Sequence, residues 1–185
     1  MFNRKIFFIY LIILLSTSIK IGFSMSKERN TVPNVSEIEH LIFLEVNRQR
    51  ISCGITPLKD NSNLDTLAKQ HSNDMAKRQF FSHINPDKQG PAQRAMKFGF
   101  DKKLISPNNY LVGVAENIGK LPTGKISNKK NIFVDNTSES IARNQVRMWM
   151  SSPPHRKNIL NKFFDEAGTG TAFDGKYYIS TQDFR

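Results

Sequence analysis

The chain has 185 residues, with 27 Lys and Arg against 16 Asp and Glu and a formal net charge of +11. This length suits one domain behind a short leader. A single cysteine, Cys53, excludes any intrachain disulfide, so core packing must hold the fold. The basic residues are scattered rather than striped and no nucleic-acid motif accompanies them, so nucleic-acid binding is not expected.

Residues 1–24 differ in kind from the rest. Met1 to Lys5 is basic, and Ile6 to Ile19 is a nearly unbroken apolar run closed by Lys20. A run of about 14 residues is short for a membrane span, which needs roughly 20. It fits the apolar region of a secretory signal peptide, with Gly22 and Ser24 at the positions a signal peptidase reads. An uncleaved anchor is the alternative. Residues 25–35 read as a polar lead-in, and 36–185 as the folded domain. Three bases and no acids fall in the leader, leaving 24 bases against 16 acids. Such a surface is drawn to anionic polymers and lipid headgroups, or is simply solvated.

Ser36-Glu37-Ile38-Glu39 has the form of a capping box. Ile38, Leu41, Ile42 and Val46 then recur at helical spacing, predicting a helix to about Ser52, just before Gly54. Cys53 reads as a half-buried small residue beside that helix end. A second helix carries Leu64, Leu67, Ala68, His71 and Met75 on one face, with Lys77-Arg78 near its end, where cations suit the dipole. Gly90-Pro91 opens a short third helix that stops at Gly99. Residues 101–118 read as irregular, with a strand around Tyr110 to Ala115, and Lys120 to Thr137 as a long polar surface loop. A fourth helix runs from about Ser138 to Met150 and is stopped by Pro153-Pro154. One or two helical turns follow from His155. Two strands flank Asp174-Gly175, a two-residue hairpin signal. Helices first and in the middle, with strands at the end, predict an α+β fold of helices on an antiparallel sheet.

Polar residues at element ends stand out, because binding residues concentrate on loops held by a rigid scaffold. Ser82-His83 leaves the second helix, Glu116-Asn117-Ile118 lies between irregular segments, and Trp149 to Arg156 turns the chain sharply. Together with Asn47-Arg48, Pro57-Leu58, Leu64, Ala68, Met75, Arg94, Gly99, Gly168-Thr169-Gly170 and Tyr178, this ordered series resembles the bacterial branch of the CAP superfamily. That superfamily groups cysteine-rich secretory proteins, antigen 5 and plant pathogenesis-related proteins, and the resemblance covers roughly residues 38–184. It implies a three-layer α-β-α sandwich with a central antiparallel sheet and a groove that in many members holds two His and two Glu. Here His83, Glu116 and His155 match three of the four, and Ser152 stands where the remaining Glu would be. The resemblance thus implies an incomplete tetrad.

Two imidazoles and a carboxylate are a catalytic-zinc donor set, so His83, Glu116 and His155 are candidate metal ligands, with a divalent ion such as zinc as the cofactor. The alternative is that Glu116 accepts hydrogen bonds that pin the loops. His71 reads as a core or boundary histidine, His40 as surface and Trp149 as core. Arg94 and Arg156 read as anion contacts or loop pins. A Ser82-His83-Glu116 triad is a remote alternative. Three functions follow. One is a non-enzymatic, monomeric, exported binding module for a small ligand, a lipid or an anionic envelope component, secreted or held at the periplasm or cell surface. The second is a metal-assisted hydrolase of peptides or cell-wall material. The third is a structural surface protein with a relic groove.

Overall fold

Helix α1 (Val35–Ser52) begins at Asn34, whose side-chain oxygen accepts the Ser36 amide at 2.9 Å. The cap therefore lies two residues before the expected Ser36, and it is a single N-cap rather than a capping box, since Glu37 accepts the Ser138 hydroxyl at 2.6 Å. Glu39 does not reach back to the helix start; it accepts the Thr171 amide at 2.9 Å and pairs with Lys69 at 3.1 Å. The computed structural model describes residues 33–106, 109–125 and 133–185. The leader and most of the lead-in lie outside the described residues. No described helix is long and apolar enough to cross a membrane.

After a two-residue strand, β1 (Lys59–Asp60), helix α2 (Ser62–Arg78) is capped by Asn61, which accepts the amides of Asn63 and Leu64. Pro91 opens the short α3 (Pro91–Met96). Strands β2 (Lys102–Ser106) and β3 (Asn109–Val112) form an antiparallel ribbon. Strand β4 (Ala115–Pro122) runs through the stretch expected to be irregular and into the start of the expected surface loop. A second small ribbon, β5 (Gly124–Lys125) with β6 (Phe133–Val134), follows it. Helix α4 (Ser138–Ser151) is capped by Thr137, and α5 (Pro153–Ile159) starts on the two prolines that end α4.

Strands β7 (Glu166–Phe173) and β8 (Tyr177–Phe184) form the expected hairpin. Its turn is shifted by one residue: the Asp174 amide donates to Tyr177 O, so Gly175 and Lys176 are the central pair. Gly175 sits at φ +93°, where a side chain would be strained.

The main sheet has the order β1-β7-β8-β4, antiparallel except for the short parallel edge β1. Side chains alternate between its faces. Leu121, Ala167, Tyr178 and Phe184 join the core formed by α1, α4 and α5. Ile118 and Ile179, of opposite parity, join Met75 of α2. Helices thus cover both faces, giving the three-layer sandwich. Gly168 and Gly170 let α2 lie directly on β7: a Cβ there would stand 2.1 Å from the backbone nitrogens of Asp65 and Lys69.

Trp149 is buried, and its indole N–H donates to Ile118 O at 2.9 Å. Arg50 is fully buried. Its guanidinium donates to the carbonyls of Thr56, Ile159, Asn161 and Phe164, tying the end of α1 to the end of α5. Cys53, expected to be half-buried, is exposed at the end of α1.

Candidate functional site

The site is built around Glu116, which β4 presents toward α2. The cross-strand partner of Glu116 is Asp183 on β8. Three residues from outside the sheet converge on Glu116. His83 Nδ1–H donates to Oε1 at 2.7 Å, Arg94 Nη2 donates to Oε2 at 2.5 Å, and His71 Nε2 lies 3.9 Å from Oε1. Glu116 and His71 side chains are essentially inaccessible, whereas that of His83 is 45% exposed.

Local structure explains how these residues meet. Gln79 ends α2 in the left-handed region at φ +56°, turning the chain back toward the sheet. The returning loop is fixed at two points. His71 Nε2–H donates to Ser82 O at 3.0 Å, and Arg94 Nη1 donates to His83 O at 2.8 Å and to Gln89 O at 2.9 Å. One guanidinium, projected from α3, thus holds the loop, the 85–90 turn and β4 together. The planar fork of arginine suits such a multidentate role.

His155 reaches the same region from α5. Burial, and then the nearby charge of His83, hold its pKa below the ordinary histidine value. Asn117, next to Glu116, donates its side-chain amide to His155 O at 3.1 Å, and Asn158 donates to Asn117 Oδ1 at 2.9 Å. Ser152 stands at the junction of α4 and α5, where its amide donates to Trp149 O and its carbonyl accepts from Arg156 N. Ser82 Oγ accepts the Ile84 amide at 3.1 Å.

Burial also lowers the pKa of His71, more strongly than the Glu116 charge raises it, so its ring is held neutral. With Nε2 as the donor, Nδ1 is an acceptor, buried without a partner. Asp183 is fully buried, and neither of its oxygens has a partner. Burial, reinforced by the Glu116 charge, holds its carboxyl well above the usual carboxylate range. Within this cluster Glu116 is the negative charge, Arg94 its counter-ion and Asp183 the protonated neighbour.

The donor set does not fit a metal as arranged. Both oxygens of Glu116 are engaged, one of them by a guanidinium that already supplies positive charge. Among the described residues, no three of His, Cys, Asp or Glu form a group that could hold a metal ion.

Sequence reasoning brought His83 and Glu116 together and placed His155 beside them. It read His71 as core and Arg94 as an anion contact or loop pin, and it missed Asp183. The available signal was an acid inside Tyr177–Phe184, a strand whose last seven residues are all buried.

A family profile described as the cysteine-rich secretory protein family, CAP, matches residues 43–184. The chain belongs to this family. The uncharacterized protein YkwD of Bacillus subtilis is 30% identical over 151 residues, covering 82% of this CAP chain and 48% of that protein. The chain therefore spans about half the length of that relative. An extracellular protein containing an SCP domain from Bacillus anthracis superposes with TM-score 0.57 at 25% identity, covering 81% of this chain and 41% of that one. An outer surface protein of Borrelia burgdorferi shares the fold, with TM-score 0.60 at 15% identity over 82% of this chain and 95% of that one. The chain is a CAP/SCP-domain protein of the bacterial branch, with the expected α+β architecture.

Proposed function

We propose that this CAP domain is exported and works as a non-enzymatic binding module, using the groove at His83, Glu116 and His155 to hold a small ligand, a lipid or an anionic envelope partner. The observation that carries this reading is the state of Glu116. A general base needs a free lone pair within reach of substrate, and a metal ligand needs one aimed at the ion. Glu116 is inaccessible, with one oxygen held by His83 and the other by Arg94. It orients His83. With Nδ1–H fixed on the carboxylate, the half-exposed imidazole keeps Nε2 as its open nitrogen, an acceptor when neutral and a donor when protonated. Exposed Phe81 and Ile84 flank His83 in sequence and give this loop an apolar edge.

Export is supported by the composition of residues 1–24 and by the extracellular description of the Bacillus anthracis relative. The test is a binding screen of the purified domain against lipid vesicles, anionic wall polymers and peptides, with His83→Ala alongside. Binding that falls at least tenfold in His83→Ala, with unchanged thermal stability and no turnover, supports the reading. Stoichiometric zinc uptake abolished by His83→Ala, accompanied by hydrolysis, would replace it with the hydrolase reading.

A further inference from the structure

A cavity of about 280 Å³ lies between α2 and the segment from Asn85 to Lys97. It shares Arg94 and His71 with the Glu116 cluster, but His83, Glu116 and His155 do not line it. We propose that this cavity is a second binding site, for a small neutral polyhydroxylated molecule of the size of one sugar unit.

Size and lining argue for that class. Liquid water occupies about 30 Å³ per molecule, so the space is several times larger than a hydration site needs. It is slightly smaller than pockets for drug-sized ligands, which start at about 300 Å³ and are mostly apolar. Among the described residues, no apolar side chain lines the wall. Gln70, Asn85 and Gln89 contribute side-chain amides; Asn85 Oδ1 accepts the Gln89 backbone amide at 2.9 Å and Asn85 Nδ2 donates to Gln89 Oε1 at 3.4 Å, so these two offer the cavity mainly their remaining N–H donors. An apolar ligand would desolvate these groups without replacing their hydrogen bonds, which is costly.

The charges on the wall are largely cancelled. Arg78 pairs with Asp87 at 2.6 Å and with Asp74 at 3.4 Å. Arg94 is paired with Glu116. Among the described lining residues, Lys97 is the remaining cation. Two carboxylates already bridged by one arginine act as hydrogen-bond acceptors rather than as a cation trap. The wall suits hydroxyl groups better than an isolated phosphate or an ammonium.

Two buried atoms on the wall residues bear on the same point. His71 Nδ1 and Arg94 Nε, on residues that line the cavity, have no hydrogen-bond partner. Their side chains are 0% and 9% exposed. An unsatisfied buried polar group costs about 1–3 kcal/mol, so such atoms call for a partner. The first is an acceptor and the second a donor. A hydroxyl is both at once, but the two atoms have essentially no accessible surface, so it satisfies either one only after that side chain turns toward the cavity.

The test titrates the full chain with N-acetylglucosamine and its β-1,4-linked tetramer, and in parallel with inorganic phosphate and with glycine. The readout is the NMR shifts of side-chain amides and of the Arg94 Nε–H. The sugar should bind weakly and shift Arg94 Nε–H together with amides of Gln70, Asn85 and Gln89. If the tetramer binds more tightly than the monomer, the occupant is part of a glycan; equal affinity makes it a free sugar unit. Gln89→Ala should weaken binding about fivefold, the effect of one neutral hydrogen bond. Gln70→Trp, at an exposed helix position, should block entry. His83→Ala should change nothing here, which separates this site from the groove. Binding of phosphate or glycine in place of sugar, no binding at all, or sugar binding indifferent to both glutamine variants would overturn the proposal.

Discussion

Glu116 and Asp183 face each other across neighbouring antiparallel strands, both buried, and only Glu116 has a cation. Two carboxylates so placed cannot both ionise cheaply, and the one without a partner keeps its proton. The sign of the pH dependence follows. The Asp183 pKa is raised from 3.8, so its contribution is fully favourable only below that value and is lost as pH rises toward the folded pKa. Asp183→Asn removes the ionisation and keeps the shape. It should raise unfolding free energy at pH 8, by up to about 1.4 kcal/mol for each pH unit by which the folded carboxyl is held above its ordinary value, and by much less at pH 4. Urea melts at the two pH values decide; equal effects at both would reject a protonated Asp183.

Arg94 invites the opposite experiment. Arg94→Ala leaves the Glu116 carboxylate buried beside Asp183 and frees the loop holding His83. Removing one partner of a buried ion pair costs about 3–5 kcal/mol. Arg94→Lys should recover little of this, since an ammonium cannot span Glu116, His83 O and Gln89 O together. A loss under 1 kcal/mol in Arg94→Ala would show that the guanidinium does not hold the site together.

His71 and His155 set the acid side of the stability curve. Both have folded pKa values below the ordinary 6.5. Their contribution is complete above that value and is lost as pH falls from it toward the folded values. For fully buried His71 the slope in this window should approach about 1.4 kcal/mol per pH unit. His71→Gln retains a donor for Ser82 O and should flatten the curve between pH 6.5 and 5. An unchanged slope would mean that another group takes up the proton.

Two kinds of glycine separate steric from adjustable contacts. At Gly168 and Gly170 a methyl would meet the backbone of α2 at 2.1 Å, and a helix backbone cannot step aside. Either alanine variant should cost about 3 kcal/mol, at or above the usual range for overpacking. At Gly119 the nearest atom is Gln145 Nε2, at the end of a flexible side chain whose polar atoms lack partners. Gly119→Ala should cost less than half as much, and thermal melts of the three variants would show the order.

Much of this fold can be read in the sequence, because four of its helices and its hairpin announce themselves locally. Periodic apolar residues mark α1, α2 and α4, prolines mark α5, and Asp174-Gly175 marks the turn to within one residue. Strand β4 does not announce itself. Ala115 to Pro122 contains Asn117 and Gly119 where an alternating pattern in register with Leu121 would put apolar residues, because Asn117 bonds to α5 and Gly119 makes room for Gln145. The site followed the same division. His83, Glu116 and His155 lie in short recognisable blocks. Arg94 and Asp183 owe their roles to pairings 22 and 67 positions from Glu116, which local patterns do not encode.

The sheet's edges carry a consequence for how this protein meets others. Beyond the short β1, the β7 amides of Thr169 and Thr171 are taken by the carboxylates of Asp65 and Glu39. On β4 the carbonyls of Glu116 and Ile118 are taken by Asn158 and Trp149. An arriving strand would find these backbone groups already bonded, so the domain is guarded against edge-to-edge stacking. Burial raises the pKa values of both Asp65 and Glu39, so protonation weakens the β7 guard earlier in acid than ordinary carboxylates would allow. Any self-association through that edge is therefore expected to set in on acidification, and light scattering from pH 7 to pH 4 would register it.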